Sequence, residues 1–262
     1  MKQVRHTEYI TVARDGRIAV LTLDREEKRN AVCDALIEDI REFVVGINPG
    51  ETSAIVMRGA GKHFCAGLDL AEHKERPPFE SVLHSRFWHE TLDLLEFGPV
   101  PVVAAMQGGV IGGGLEIATA CHVRVAEPTA FYQLPEGRRG IYVGGGASMR
   151  VQRIIGADRM REMMLTGRRY DSQDGLRLGL SHYLESESTA FDRAMELADD
   201  IAGNAKISNY MMINALPRIA DMDRMSGSFT ENIASALSSG SAEAKAGIEA
   251  FLKKQQIRHD KK

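Results

Sequence analysis

The stretch Ala104-Ala-Met-Gln-Gly-Gly-Val-Ile-Gly-Gly-Gly-Leu-Glu116 lies near the middle of the chain, and its reading decides the fold. Its first residues continue the apolar run of residues 102–106, whose small and β-branched side chains predict a buried strand. Glycine then dominates residues 108–114, and the helical pattern Leu115-Glu-Ile-Ala-Thr-Ala-Cys121 follows at once. A strand that passes through glycines into a helix is the repeating unit of an α/β layer with parallel strands. The first N–H groups of such a helix have no intrahelical partner, and the helix dipole favours negative charge in front of them. Glycine lets an incoming group approach without a Cβ in the way. The same residues also suit a plain tight turn, and spacing alone weighs the two readings about equally.

Outward from this segment the pattern agrees. Tyr9-Ile-Thr-Val-Ala13 and Ile18-Ala-Val-Leu-Thr-Leu23 read as two strands, and Asp15-Gly16 between them is a hairpin turn that needs positive φ. A charged loop spans residues 24–30. Asp34 is placed to cap a helix with Leu36, Ile37, Ile40, Phe43 and Val44 on one face, stopping by Asn48-Pro49-Gly50. Ala54-Ile-Val-Met57 predicts a further strand, which leads into a second glycine-bearing loop, Phe64-Cys-Ala-Gly-Leu-Asp-Leu70. Residues 79–97 are amphipathic and helical in period. From about Phe191 strand candidates cease, and four helical segments follow with turns at Gly203, Gly227 and Gly240. The division expected is an α/β core over residues 1–190 and a helical region over residues 191–262. So thin a helical piece buries little by itself, so it packs against another subunit or across its own core.

The 262 residues are 44% hydrophobic and 26% charged, enough to bury one large core. A net charge of -3 and a pI near 6.3 argue against nucleic acid as a partner. Cys33, Cys65 and Cys121 lie far apart, as expected of reduced thiols rather than a disulfide framework. The first residues lack the apolar core of a leader peptide, and the apolar run at 100–106 is too short to cross a bilayer. The expectation is a cytoplasmic protein with no membrane partner.

Chemistry concentrates at the two glycine loops. Meeting at one end of parallel strands, they would aim two N–H groups at one carbonyl oxygen and form an oxyanion hole. Glu116 falls in the first turn of the central helix, where an acid also complements the dipole at roughly 0.3–1 kcal/mol. Glu136 follows in Leu134-Pro135-Glu136, past the strand-like Ala130-Phe-Tyr-Gln133; alone it would read as a solvated loop acid. Two acids brought together divide into one protonated and one charged, a ready acid–base pair.

Other chemistries fit less well. The glycines at 112–114 miss the dinucleotide fingerprint, because its third position is Ile117. No tyrosine is followed four residues later by lysine, and no Gly-x-Ser-x-Gly elbow occurs. His63, Cys65, Asp69 and His73 make a metal site of borderline spacing without a paired-ligand motif.

The segment 104–116 together with Phe64-Cys-Ala-Gly-Leu-Asp-Leu70 closely resembles the signature of the enoyl-CoA hydratase/isomerase (crotonase) superfamily. The resemblance extends from the N-terminal hairpin through Lys28-Arg-Asn-Ala31 to the tail at residues 244–254. It implies an α/β fold, a crotonase-like spiral of strand-strand-helix units with a C-terminal helical trimerisation region. It also implies that the N–H groups of Leu68 and Gly113 bind a thioester oxygen. Glu116 matches the acid that deprotonates water for attack at the β-carbon of an enoyl-CoA, and Glu136 the acid that protonates the α-carbon. By the same resemblance Lys28, Arg29, Ala66 and Asp69 lie near the coenzyme A moiety, joined by Phe251 and Lys254 from a neighbouring subunit. Reversible hydration of a 2-enoyl-CoA by a homotrimer or dimer of trimers is therefore expected, with no metal or redox cofactor. The alternatives are isomerase, hydratase-lyase or hydrolase chemistry on the same scaffold, or a non-catalytic binding paralogue. Departures from the family pattern occur at Gly109, Val143 and Gly137-Arg138-Arg139, where the arginines either meet an anionic acyl tail or face solvent.

Overall fold

The computed structural model describes residues 1–72, 74–186, 188–253 and 258–259. The hairpin is formed by β2 (Ile10–Asp15) and β3 (Ile18–Leu23), paired antiparallel with Ile10 opposite Leu23. Gly16 takes φ +56 in the turn. An N-terminal strand unforeseen from its polar sequence, β1 (Lys2–His6), adds to the outside of β2 through edge pairing. Beyond β3 the sheet is parallel, through β4 (Ala54–Gly59), β5 (Val102–Met106), β7 (Val123–Ala126) and the two-residue β10 (Tyr183–Leu184). A smaller sheet holds β6 (Gly109–Ile111), β8 (Phe131–Gln133) and β9 (Tyr170–Asp171), with β8 in the middle. Single bridges, Val32 to Leu68 and Cys65 to Val110, tie the glycine loop at 64–70 between its neighbours.

Alternation along the strands divides the large sheet into two buried faces. Leu21, Leu23, Ile55, Met57, Val102 and Ala104 face α1 (Asp34–Val45), α2 (Pro78–Glu96) and α3 (Gly113–Ala120). Ile18, Val20, Ala54, Val56, Val103 and Ala105 face the opposite way, onto α7 (Ala190–Ala202). Ala190, Ala194 and Ala198 form the seam, and their small side chains let that helix lie close on the strands. The expected division at residue 190 thus falls at the start of a helix that packs across its own core. Before that helix the core also holds α4 (Ala147–Ile155), α5 (Ala157–Thr166) and α6 (Ser172–Leu178).

After α7 come α8 (Lys206–Asn214), α9 (Leu216–Ile219), α10 (Arg224–Ser239) and α11 (Ala242–Leu252). The C-terminal region therefore has five helices among the described residues, where the sequence pattern suggests four. Gly227 is inside α10 and buried, with Ile219 beside its Cα, so it serves packing rather than a turn. Asp34 is the first residue of α1 and not its cap; Cys33 has the cap backbone, with φ -117 and ψ 172. An acid suits either position, and the Asp34 carboxylate is taken by Arg76 and His84 instead. No helix among the described residues is long and apolar enough to cross a membrane.

Candidate active site

The two glycine loops meet back to back. Gly67 has φ +87, and a Cβ there would come within 2.7 Å of the Ile111 carbonyl oxygen, so only glycine allows the approach. Gly112, with φ +52, turns the chain from β6 into α3. This contact brings the two predicted donors together: a Cβ built on Gly113 would lie 3.7 Å from the Leu68 nitrogen. Neither the Leu68 nor the Gly113 N–H donates to any described residue. Two adjacent, unspent donors, one of them at a helix start, are the elements of an oxyanion hole, since they are oriented before any charge develops.

Glu116 projects from the first turn of α3 and is 4% exposed. Its Oε1 accepts the N–H of Gly145 at 2.7 Å and of Ala147 at 3.1 Å, at the start of α4. Glu136 opens the short 3-10 turn Glu136–Arg139 after β8 and is 7% exposed. Its Oε2 is buried and has no hydrogen-bond partner among the described residues. Both carboxyls line one cavity of about 320 Å³, together with Leu68, Gly113, His84, Trp88 and Tyr142. Burial pushes Glu136 up to about 7, and the charge of Glu116 adds to the rise, although backbone hydrogen bonding and Arg139 oppose it. Burial raises Glu116 too, against the pull of the Ala147 and Gly145 N–H groups. The result is an acid that holds its proton near neutrality beside one whose Oε1 is fixed by donors.

A second cavity, of about 430 Å³, shares Leu68 and His84 with the first and is lined by Asp69, Glu72, Lys74 and Arg76 among others. Here an ion network fastens the loop at 64–70 to the loop at 24–31. Asp69, 7% exposed, accepts from Arg25 at 3.2 Å and from Lys28 at 3.1 Å. Glu72 accepts from the same two side chains at 2.7 and 2.6 Å. Burial works to raise Asp69, but Lys28, the Ala71 N–H and Arg25 carry it below the ordinary range of an aspartate. Arg29 has φ 55, and its carbonyl accepts the Ala66 N–H at 3.0 Å. Lys28, Arg29, Ala66 and Asp69 are thus gathered in one place, with Asp69 turned toward Arg25 and Lys28. Phe251 lies on α11, exposed and lining neither cavity. Lys254 falls outside the described residues.

Of the four residues of the borderline metal pattern, His63 uses Nδ1 to accept the Gly109 N–H at 2.9 Å. Burial pushes the Cys65 thiol up to about 12, Asp69 is ion-paired, and His73 lies outside the described residues. Arg138 donates to the Thr166 carbonyl and packs on Gly167, and neither it nor Arg139 lines either cavity. Sequence reasoning passed over Trp88, His84, Ser85 and Tyr142, and also the N–H groups of Gly145 and Ala147. The lone tryptophan within the amphipathic run 79–97 and the glycines at 144–146 before a helical pattern were the available signals. Asn30, the third residue of Lys28-Arg-Asn-Ala31, is buried in a left-handed conformation. Its Nδ2 ties the carbonyls of Ala60 and His63, holding the base of the glycine loop.

Residues 13–262 match the sequence model of the enoyl-CoA hydratase/isomerase family. The chain belongs to that family. A short-chain-enoyl-CoA hydratase of Clostridium acetobutylicum is 29% identical over 251 residues, covering 95% of this chain and 96% of the relative. A mitochondrial enoyl-CoA hydratase of Pongo abelii is 30% identical over 95% of this chain and 87% of its own. Among solved structures, a provisionally assigned enoyl-CoA hydratase of Rhodopseudomonas palustris superposes with a TM-score of 0.91 at 43% identity, covering 94% of this chain and 95% of that one. Enoyl-CoA hydratase from Bacillus anthracis gives 0.90 at 29% identity, over 97% and 100% of the two chains. The α/β core is therefore the crotonase fold, as the central glycine segment implies.

Proposed function

We propose that this enoyl-CoA hydratase/isomerase family member hydrates a 2-enoyl-CoA reversibly, with Glu116 and Glu136 as the acid–base pair. The observation that carries the reading is the 320 Å³ cavity in which two buried carboxyls face two unpaired N–H donors. The thioester oxygen sits between the N–H groups of Leu68 and Gly113. Glu116, its Oε1 fixed by Gly145 and Ala147, takes a proton from water through its remaining oxygen as the hydroxyl adds to the β-carbon. Electrons move onto the thioester oxygen, and the two donors stabilise the enolate. Glu136, protonated near neutrality, delivers its proton to the α-carbon, and the unpaired Oε2 provides a partner for the water. The step is redox-neutral and calls for no metal or cofactor beyond the coenzyme A of the substrate.

Lys28, Arg29, Ala66 and Asp69 are assigned to the coenzyme A side, next to the second cavity. Phe251 and Lys254 are assigned to a neighbouring subunit's site in a homotrimer or dimer of trimers. Exposed Met225, Phe229, Ile233 and Leu237 on α10 support this assembly, because a monomer gains nothing by leaving such a row in water. The test is loss of the conjugated thioester absorbance on incubation with crotonyl-CoA and a panel of longer, branched and aromatic enoyl-CoAs. Hydration of any member supports the reading. Silence across the panel from protein that binds the esters would transfer the assignment to isomerase, lyase or hydrolase chemistry.

A further inference from the structure

The inner and outer cavities share a wall made by Leu68 and His84. Leu68 is accounted for by its backbone donor; His84 has no part in the hydration described above. The imidazole sits on α2 between Ser81 and Trp88, which line the inner cavity with it. Its Nε2 lies 2.5 Å from Oδ1 of Asp34, whose Oδ2 accepts from Arg76 at 2.5 Å. Burial works to raise the Asp34 carboxyl, but His84, Arg76 and Trp88 hold it below the usual aspartate range, so it is charged. A charged acceptor at Nε2 commits the proton on that nitrogen to Asp34 and leaves Nδ1 as the ring atom open to a ligand. Nδ1 has no partner among the described residues.

The rest of the inner wall limits what that acceptor can meet. No lysine or arginine lines the inner cavity, and two carboxyls already do. An anionic acyl tail would meet the Glu116 and Glu136 carboxyls there with neither a lysine nor an arginine to pair with. Ser85 does not compete, because its hydroxyl is spent on the Gly144 carbonyl at 2.7 Å. What fits is a neutral group that shares a hydrogen bond with the open ring nitrogen, as a hydroxyl does.

We propose that the Asp34–His84 pair recognises a hydroxyl group on the acyl tail, so that the preferred substrates are neutral, hydroxylated enoyl-CoA esters. The inference rests on the reading of the chain as an enoyl-CoA hydratase. His84 contacts the substrate; Asp34 is a positioning residue that acts through the imidazole. A pair that merely pinned α2 to α1 would affect stability and leave discrimination among acyl tails unchanged.

The experiment measures kcat/KM for short 2-enoyl-CoAs matched in length, with and without a terminal hydroxyl. One neutral hydrogen bond predicts a preference of roughly tenfold for the hydroxylated member. His84→Leu brings the ratio to about one, while His84→Gln, which offers an amide oxygen, retains part of it. Asp34→Asn, still able to accept from Nε2, retains more of the ratio than Asp34→Leu. A wild-type ratio near one across the series, or a preference that survives in His84→Leu, overturns the proposal. If no enoyl-CoA is hydrated, the proposed reaction fails, and calorimetric binding of saturated acyl-CoAs with and without the hydroxyl decides the role of His84 instead. Equal affinities in wild type would then overturn it, and a hydroxyl preference lost in His84→Leu would sustain it.

Discussion

Glu136→Gln should abolish turnover and at the same time make the protein more stable above neutral pH. Burial moves the Glu136 carboxyl from 4.5 to about 7, which means that the folded protein holds this proton more tightly than the unfolded chain. Between those two values the native state binds more protons, so stability falls as pH rises through the window. A rise of about 2.5 units at 1.36 kcal/mol each makes the full cost about 3 kcal/mol above pH 7. Glutamine has nearly the same shape and no charge, so this loss disappears in the variant. Its amide brings an opposing term, because Oε2 has no partner and an NH₂ in its place would be buried unpaired, at about 1–3 kcal/mol. That term does not depend on pH. Urea unfolding of both proteins at intervals from about pH 4 to about pH 8 separates the two contributions. The wild type should lose stability relative to the variant across the window, and the difference should flatten on either side. Parallel curves would refute the reasoning and with it the assignment of Glu136 as a proton donor near neutrality.

Three further outcomes are expected. The kcat/KM of the wild type for crotonyl-CoA should fall as pH rises through about 7, as Glu136 loses its proton, and a profile flat across that range would contradict its acid role. Glu116→Gln should cost at least about a hundredfold in turnover with coenzyme A ester affinity largely retained, measured by comparing kcat with calorimetric binding. Asp69→Ala removes one of two carboxylates from Arg25, 5% exposed, and leaves it the more exposed Glu72; it should destabilise the fold by about 2 kcal/mol in urea melts, whereas an unchanged midpoint would deny the network its role.

Much of this was legible because glycine is a backbone statement. Gly67, Gly112 and Gly113 occupy places where a Cβ would strain the chain or close the gap between loops, so the glycine pattern marked where the two loops approach, while the choice of Leu68 and Gly113 as donors came with the family resemblance. β2 to β5 were legible for a similar local reason, their apolar runs being strong, whereas the shorter β7 and β10, four and two residues long, were not. What escaped was set by distance along the chain. Gly145 donates to Glu116 across 29 residues and His84 meets Asp34 across 50, and neither contact leaves a periodicity to read. The cap assigned to Asp34 went astray for that reason, since a partner from α2 claimed its side chain. β1 was missed because an edge strand held by pairing needs no apolar face.

The two hydrogen bonds on Oε1 of Glu116 bear on how such a site can change over generations. That carboxylate is a rivet whatever chemistry it performs: it joins the start of α3 to the start of α4, and trimming it to alanine would release two buried N–H groups at once. Glu136 secures nothing through its Oε2. A descendant with a different thioester reaction can therefore replace Glu136 at little structural expense, while position 116 favours side chains that still present an oxygen to Gly145 and Ala147. The lineage's easiest route to new chemistry runs through residue 136.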